Sequence, residues 1–238
     1  MTPAHQFPMG TILPIADRVH LLNRIANEDG KYLVEDDYDS EFRYKGQPIP
    51  ALKSMDYGDR VIYMGSFSKS LSPALRISYM VLPDCLFRRY KDKVKDTGCP
   101  VSVPIQHVVE RFITEGFFER HLNRMRTVYR KRREAVLDAV RKEAKTRNLP
   151  WYCTGADAGL YVLLHLPKGV SATSCVNQAI EVGVRVEGVQ SYERDRNSTD
   201  RILILGFSRL KEEEVADAVH TLATLVERQN PERRKFEK

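Results

Sequence analysis

The stretch Val61-Ile-Tyr-Met-Gly-Ser-Phe-Ser-Lys-Ser-Leu-Ser-Pro-Ala-Leu-Arg76 decides the reading of this chain. It opens as an apolar, β-branched and aromatic run, which predicts a buried strand over Val61–Gly65. It then turns polar: Ser66, Ser68, Ser70 and Ser72 surround Lys69, and Arg76 follows. In a parallel α/β sheet, ligands bind beyond the carboxyl ends of the strands. Hydroxyls, turn N–H groups and a guanidinium at such a place make a phosphate cradle. A lysine inside it, near cationic groups or partly desolvated, loses proton affinity and suits Schiff-base chemistry. The plainer alternative is a serine-rich surface loop with a solvated lysine.

A second expected strand, Tyr32–Tyr38, ends in Val34-Glu-Asp-Asp-Tyr38. Alternation puts Asp36 and Tyr38 on one face, Glu35 and Asp37 on the other. A carboxylate and a phenol at a strand end can bind a cationic heterocycle and its oxygen substituent. The alternative is a solvated acidic turn or a helix cap. Phosphate donors, carboxylate, phenol and amine together are the partners that pyridoxal phosphate requires.

Working outward, the 238 residues suit one large domain or two small ones, and 42% hydrophobic with 29% charged residues is an ordinary globular balance. No apolar run approaches a membrane span, and the N-terminus lacks a signal-peptide pattern. Cys85, Cys99, Cys153 and Cys175 are scattered without a CxxC pair, which argues against a metal site or disulfide framework and for a reducing cytoplasm. The net charge of +6 gathers between Arg120 and Lys145, where Leu122, Met125, Tyr129, Val136 and Val140 recur at mostly helical spacing. That predicts an amphipathic helix with a solvated basic face; a nucleic-acid stripe, the sharper alternative, lacks a recognisable motif.

Further strands are expected at Thr2–Phe7, Ile77–Leu82, Gly159–Leu166 and Arg201–Phe207, and helices at Ala16–Asp29, about Ile105–Arg147, Ala172–Val182 and Lys211–Arg228. In the first helix Val19, Leu22 and Ile25 are placed on one face. Strands separated by helices or long connections give an α/β fold. The expected division is a partial large domain with a mainly parallel sheet over 1–104, linker helices over 105–147, a small α+β domain over 148–230 and a charged tail over 231–238.

Thr2-Pro-Ala-His-Gln-Phe-Pro8, Val34-Glu-Asp-Asp-Tyr-Asp-Ser-Glu-Phe-Arg-Tyr44 and Gly65-Ser-Phe-Ser-Lys-Ser-Leu-Ser-Pro-Ala-Leu-Arg76 resemble the MocR/GabR family of bacterial regulators. These join a GntR-type winged helix to a fold-type-I aminotransferase-like domain. Gly116–Tyr129 resembles the family's linker helix, so the likeness runs from Thr2 to about Leu210. It implies that Lys69 forms the Schiff base with pyridoxal phosphate and that Asp36 pairs with the pyridine nitrogen. Asp37 stands in for Asp36 if the strand's phase differs by one. Tyr38 resembles the phenol near the 3-hydroxyl; Ser66 and Arg76, with Ser68, resemble the phosphate ligands. The implied function is that of a regulator's sensor domain that takes up a small amino compound through an aldimine. The alternatives are a working class I/II aminotransferase and a non-catalytic remnant.

Two departures stand out. The Asn-Pro-x-Gly turn of many such aminotransferases is Phe7-Pro8-Met9-Gly10 here, which leaves the asparagine's contact absent or supplied by His5 or Gln6. The arginine that often holds a substrate carboxylate registers with Ile204, and Arg201 falls on the opposite face of its strand. The family also places a winged helix and further aminotransferase residues before Thr2. The expectation is therefore a truncated gene, a split reading frame or a mis-called start. It implies a homodimer or a partner supplying the missing half, and no specific DNA binding by this chain alone.

Overall fold

Parallel strands side by side end at the same edge, and two here do so with their polar runs together. In the computed structural model, which describes residues 1–192 and 200–230, β1 (Leu33–Asp37) pairs in parallel with β2 (Val61–Ser66). Their register runs from Leu33↔Val61 to Asp37↔Gly65. A third strand, β3 (Ser78–Val81), lies antiparallel on β2, giving the order β1-β2-β3. The tail at 231–238 falls outside the described residues.

The chain divides into two units, Met1–Phe7 with Thr11–Met125, and Pro8–Gly10 with Arg126–Lys238. The first holds this sheet. Helix α1 (Ile15–Ala26) packs Leu22 with Leu52 and Val61, joined by the partly buried Leu33 and Met55. Burying each such side chain contributes about 1.5–3 kcal/mol. A four-residue helix α2 (Phe67–Ser70) follows β2, and α3 (Asp84–Val94), α4 (Val103–Thr114) and the long α5 (Phe117–Arg147) come after β3. Between α4 and α5, Gly116 takes φ 73, a left-handed conformation that favours glycine.

Two sequence expectations are corrected here. Thr2–Phe7 is not a strand: its one ladder contact is an isolated Gln6–Thr11 bridge. Pro3 has no N–H to give a ladder, and its carbonyl accepts from Leu13 N at 3.0 Å and from Arg18 at 2.6 Å. The buried stripe of α1 is also rotated by one residue. Arg18 and Leu22 face inward, while Val19 is 41% exposed. Arg18 is drawn in by three carbonyls, those of Leu13, Pro50 and Pro3, at 2.9, 2.9 and 2.6 Å. Burial lowers its pKa, and the nearby Glu35 carboxylate opposes that shift. Glu35 is itself buried on β1 and accepts from Leu52 N and Lys53 N, both at 2.9 Å, so it caps the short turn Lys53–Met55.

The second unit is built on four antiparallel strands in the order β4-β5-β7-β6: β4 (Tyr152–Thr154), β5 (Tyr161–His165), β6 (Glu187–Gly188) and β7 (Ile202–Gly206). Both faces of β5 and β7 are buried. Helices α6 (Ala172–Glu181) and α7 (Glu212–Gln229) complete it, and Val215, Val219, Leu222 and Val226 form the buried stripe of α7. The basic stretch of α5 has the expected apolar stripe, with Val136 and Val140 buried and Arg130, Lys131, Arg141 and Lys142 exposed. Among the described residues no helix is long and apolar enough to cross a membrane, and no His/Cys/Asp/Glu group could hold a metal.

The four cysteines are free and differ in setting. Cys85 and Cys99 are exposed, whereas burial pushes the thiols of Cys153 and Cys175 up to about 11. The thiolate is the reactive form, so two pH units above an ordinary thiol mean roughly a hundredfold less of it at neutral pH. Iodoacetamide at pH 8 is expected to modify Cys85 and Cys99 first, read by peptide mass mapping. Labelling of Cys153 should quicken as the pH approaches 11; a rate equal to that of Cys85 at pH 8 would contradict this. By linkage, the stability that these neutral thiols contribute is full below the unfolded-state pKa and is lost as the pH rises through about 11.

Candidate functional site

The loop that leaves β2 is closed at its base. Ser66 pairs with Ser78, and Phe67 N donates to Ile77 O at 3.1 Å, so the segment from Phe67 to Arg76 leaves and returns at one point. Inside it, Ser66 is the N-cap of α2 and accepts from Ser68 N at 3.4 Å; Ser72 caps the next turn, accepting from Ala74 N at 3.2 Å. A hydroxyl that accepts keeps its hydrogen available to donate. Arg76 ends the loop at φ 53, ψ 36. A left-handed non-glycine residue costs roughly 1–2 kcal/mol, and such strain gathers at functional loops.

Tight packing fixes the strand beneath the loop. A Cβ on Gly65 would lie 2.5 Å from Cζ of Tyr79 and 2.6 Å from its hydroxyl, so a side chain there requires the outer end of the Tyr79 ring to move. The Tyr79 ring stands 5.4 Å from Phe67 and 6.2 Å from Tyr63, and Phe67 meets Phe118 edge-on at 5.9 Å. His121 Nε2 donates to Ser70 O at 3.0 Å, tying the start of α5 to the end of α2.

Beside it, the acidic end of β1 is almost wholly committed to the protein. Asp37 accepts from Tyr63 Oη at 2.8 Å and from Ser40 Oγ at 2.6 Å. Burial, then the Asp37 carboxylate, raises the pKa of Tyr63. Tyr38 Oη donates to His5 O at 2.8 Å, and His5 Nδ1 lies 2.9 Å from Asp39 Oδ2. Asp36 differs: it is exposed, and its carboxylate has no hydrogen-bond or ion-pair partner among the described residues. The same holds for the exposed Lys69 amine and Arg76 guanidinium.

The parallel register therefore brings Asp36, Tyr38, Ser66, Ser68, Lys69 and Arg76 to one carboxyl edge. Three charged groups there have no hydrogen-bond or ion-pair partner among the described residues, and the serine hydroxyls lie on the same loop as two of them. That donor set fits pyridoxal phosphate: a carboxylate for the ring nitrogen, an amine for the aldehyde, hydroxyls and a guanidinium for the phosphate. His5 and Gln6, considered as replacements for an asparagine contact, are engaged otherwise, Gln6 Oε1 accepting from Thr11 Oγ1 at 2.6 Å. In the second unit Ile204 is buried in an apolar cluster with Tyr161, Leu163, Val189 and Ile202, and Arg201 is exposed. The His5–Asp39 pair and the Tyr63–Asp37 bond are not signalled by any spacing in the sequence.

Residues 6–221 match the family model for aminotransferase class I and II. The chain is 38% identical over 222 residues to the uncharacterized HTH-type transcriptional regulator YdeL of Bacillus subtilis, covering 93% of this chain and 47% of that protein. It is 42% identical over 142 residues to the probable rhizopine catabolism regulatory protein MocR of Rhizobium meliloti, covering 60% of this chain and 29% of that one. The crystal structure of Pyrococcus horikoshii kynurenine aminotransferase, in complex with PMP, is similar at a TM-score of 0.82 and 29% identity, over 96% of this chain and 55% of that one. The chain thus spans about half the length of YdeL and of the kynurenine aminotransferase chain.

Proposed function

The chain belongs to the class I and II aminotransferases, pyridoxal-phosphate-dependent proteins of fold type I, and from that premise we propose that it is the amino-compound-sensing part of a MocR-type regulator. The observation that carries the reading is the pattern of partners along Glu35–Asp39: four side chains are bound to the protein, and Asp36 alone has no partner among the described residues. Asp37, the other acid weighed for that role, is already occupied by Tyr63 and Ser40.

When bound, pyridoxal phosphate supplies an aldehyde that captures primary amines and a ring that withdraws electrons from the adjoining carbon. Lys69 presents its amine at Nζ. Asp36 holds a proton at the ring nitrogen by its negative charge. Ser66, Ser68 and Arg76 hold the phosphate through O–H and guanidinium donors. Tyr38, two positions beyond Asp36, is the residue whose phenol would meet the cofactor's 3-oxygen.

Sensing, rather than turnover, follows from Ile204. A transaminase must fix its substrate's carboxylate to align the Cα–H bond, and misalignment is costly. Ile204, buried among apolar side chains, offers no charge for this. The regulators YdeL and MocR among the relatives favour the same reading. On this proposal a homodimer or a partner chain completes the site, specific DNA contact belongs to a part other than this one, and the free cysteines suit a reducing cytoplasm.

The test is a single-turnover assay. The pyridoxal-phosphate-loaded chain is mixed with a panel of amino acids and ω-amino acids. A spectral change without pyridoxamine phosphate is expected for at least one compound. Rapid, complete conversion would overturn the sensor reading in favour of an aminotransferase, and no change with a folded, loaded chain would favour a remnant.

A further inference from the structure

We infer that His5 and Asp39 form a buried positioning pair that sets the phenol of Tyr38; this rests on the reading of the β1 end as a pyridoxal-phosphate site. His5 is 1% and Asp39 2% exposed, with Nδ1 and Oδ2 2.9 Å apart across 34 positions of sequence. The second oxygen, Asp39 Oδ1, is buried without a hydrogen-bond partner among the described residues. A buried ionisable couple is a poor source of stability, because apolar residues of the same volume often do as well or better. Its place in the fold points to another task.

That task is legible in the hydrogen bonds. A carboxylate can only accept, so the hydrogen between His5 and Asp39 lies on Nδ1. With Nδ1 acting as a donor, it cannot take the Tyr38 hydrogen, although the phenol oxygen is only 3.3 Å away. The Tyr38 hydrogen goes instead to the His5 carbonyl at 2.8 Å. Asp39 thereby fixes the tautomer of His5, the tautomer fixes the direction of the phenol O–H, and the phenol's lone pairs are turned to whatever lies beyond. The pair also lies within the field of the site. Burial raises the pKa of Asp39, the His5 hydrogen bond and charge oppose it, Asp37 adds to it, and the Lys69 charge opposes it. Tyr38, one residue before Asp39, is thus anchored from one side by the pair.

The experiment uses the whole chain with two readouts that a merely structural staple would not move. Without cofactor, the resonance of ring-labelled Tyr38, assigned with Tyr38→Phe, reports the phenol's hydrogen bonding. With pyridoxal phosphate bound, the pH midpoint of its visible band reports the field at the 3-oxygen. His5→Phe keeps a ring and removes Nδ1; it is expected to shift the Tyr38 resonance and to move the band's midpoint by about one pH unit, a tenfold change in that proton equilibrium. His5→Asn, whose amide N–H can stand in for Nδ1–H, is expected to restore both toward the wild type. A folded His5→Phe chain with unchanged resonance and unchanged midpoint would overturn the proposal and leave a staple. If the wild type takes up no pyridoxal phosphate, the site reading fails, while the Tyr38 resonance still decides the pair. Should His5→Phe fail to fold, the isosteric Asp39→Asn decides in its place: the Tyr38 resonance is expected to shift, and an unchanged resonance overturns the inference.

Discussion

Lys69→Ala is expected to leave the chain with no borohydride-fixed pyridoxal phosphate. In the wild type the label should sit on Lys69, found by reduction, digestion and peptide mass mapping. The side chain is exposed on α2 and has no ion-pair partner among the described residues, so its removal opens no cavity and breaks no bond. Alanine is at least as good a helix former as lysine, and the unfolding midpoint should stay within about 0.5 kcal/mol of wild type. Loss of label thus reports chemistry and not collapse. A companion comparison separates the two candidate acids. Asp36→Asn should weaken cofactor binding by at least tenfold, about 1.4 kcal/mol. Asp37→Asn should disturb the Tyr63 and Ser40 bonds and change affinity little. Full labelling of Lys69→Ala at another lysine would remove Lys69 from its role; weakening by Asp37→Asn and not Asp36→Asn would exchange the acids.

The largest stability effect is expected at Arg18. Arg18→Ala deletes a buried stem and strands the carbonyls of Leu13 and Pro50, while that of Pro3 keeps only its bond from Leu13 N. It also removes the positive charge that offsets the buried Glu35. Each stranded group costs about 1–3 kcal/mol, and breaking a buried charge arrangement typically costs 3–5 kcal/mol. The expected loss is about 3–5 kcal/mol, a large part of a domain's total of about 5–15 kcal/mol. Arg18→Lys should recover less than half, since one ammonium cannot reproduce a planar fork directed at separate carbonyls. Urea unfolding monitored by far-ultraviolet circular dichroism measures both; a loss below about 1 kcal/mol in Arg18→Ala would show that water replaces the clamp.

These residues also mark where sequence reading succeeds and fails. Strands β1 and β2 were legible because their apolar runs break off sharply into polar and charged residues, and Asp36 and Lys69 are proposed for the site from that same break. The segments of β5, β7, α6 and α7 fall where the sequence leads one to expect two strands and two helices. Arg18 was not: an arginine on an amphipathic helix is assigned outward by its charge, and only the carbonyls of distant loops draw it in. Thr2–Phe7 reads as a short strand, yet Pro3 has no N–H to support a ladder. The His5–Asp39 contact was beyond reach, since nothing local in either segment specifies a partner 34 positions away. The short strands β4 and β6 were too brief to carry a pattern.

The contact between Gly65 and Tyr79 constrains the molecule's history as well as its shape. Position 65 cannot acquire any side chain while the ring at 79 stays within 2.6 Å of where a Cβ would lie. A side chain at 65 requires the Tyr79 ring to swing aside or a smaller residue to replace it, and either change disturbs the ring packed against Tyr63 and Phe67 below the loop that carries Lys69. Any change at 65 is therefore coupled to the freedom of the ring at 79.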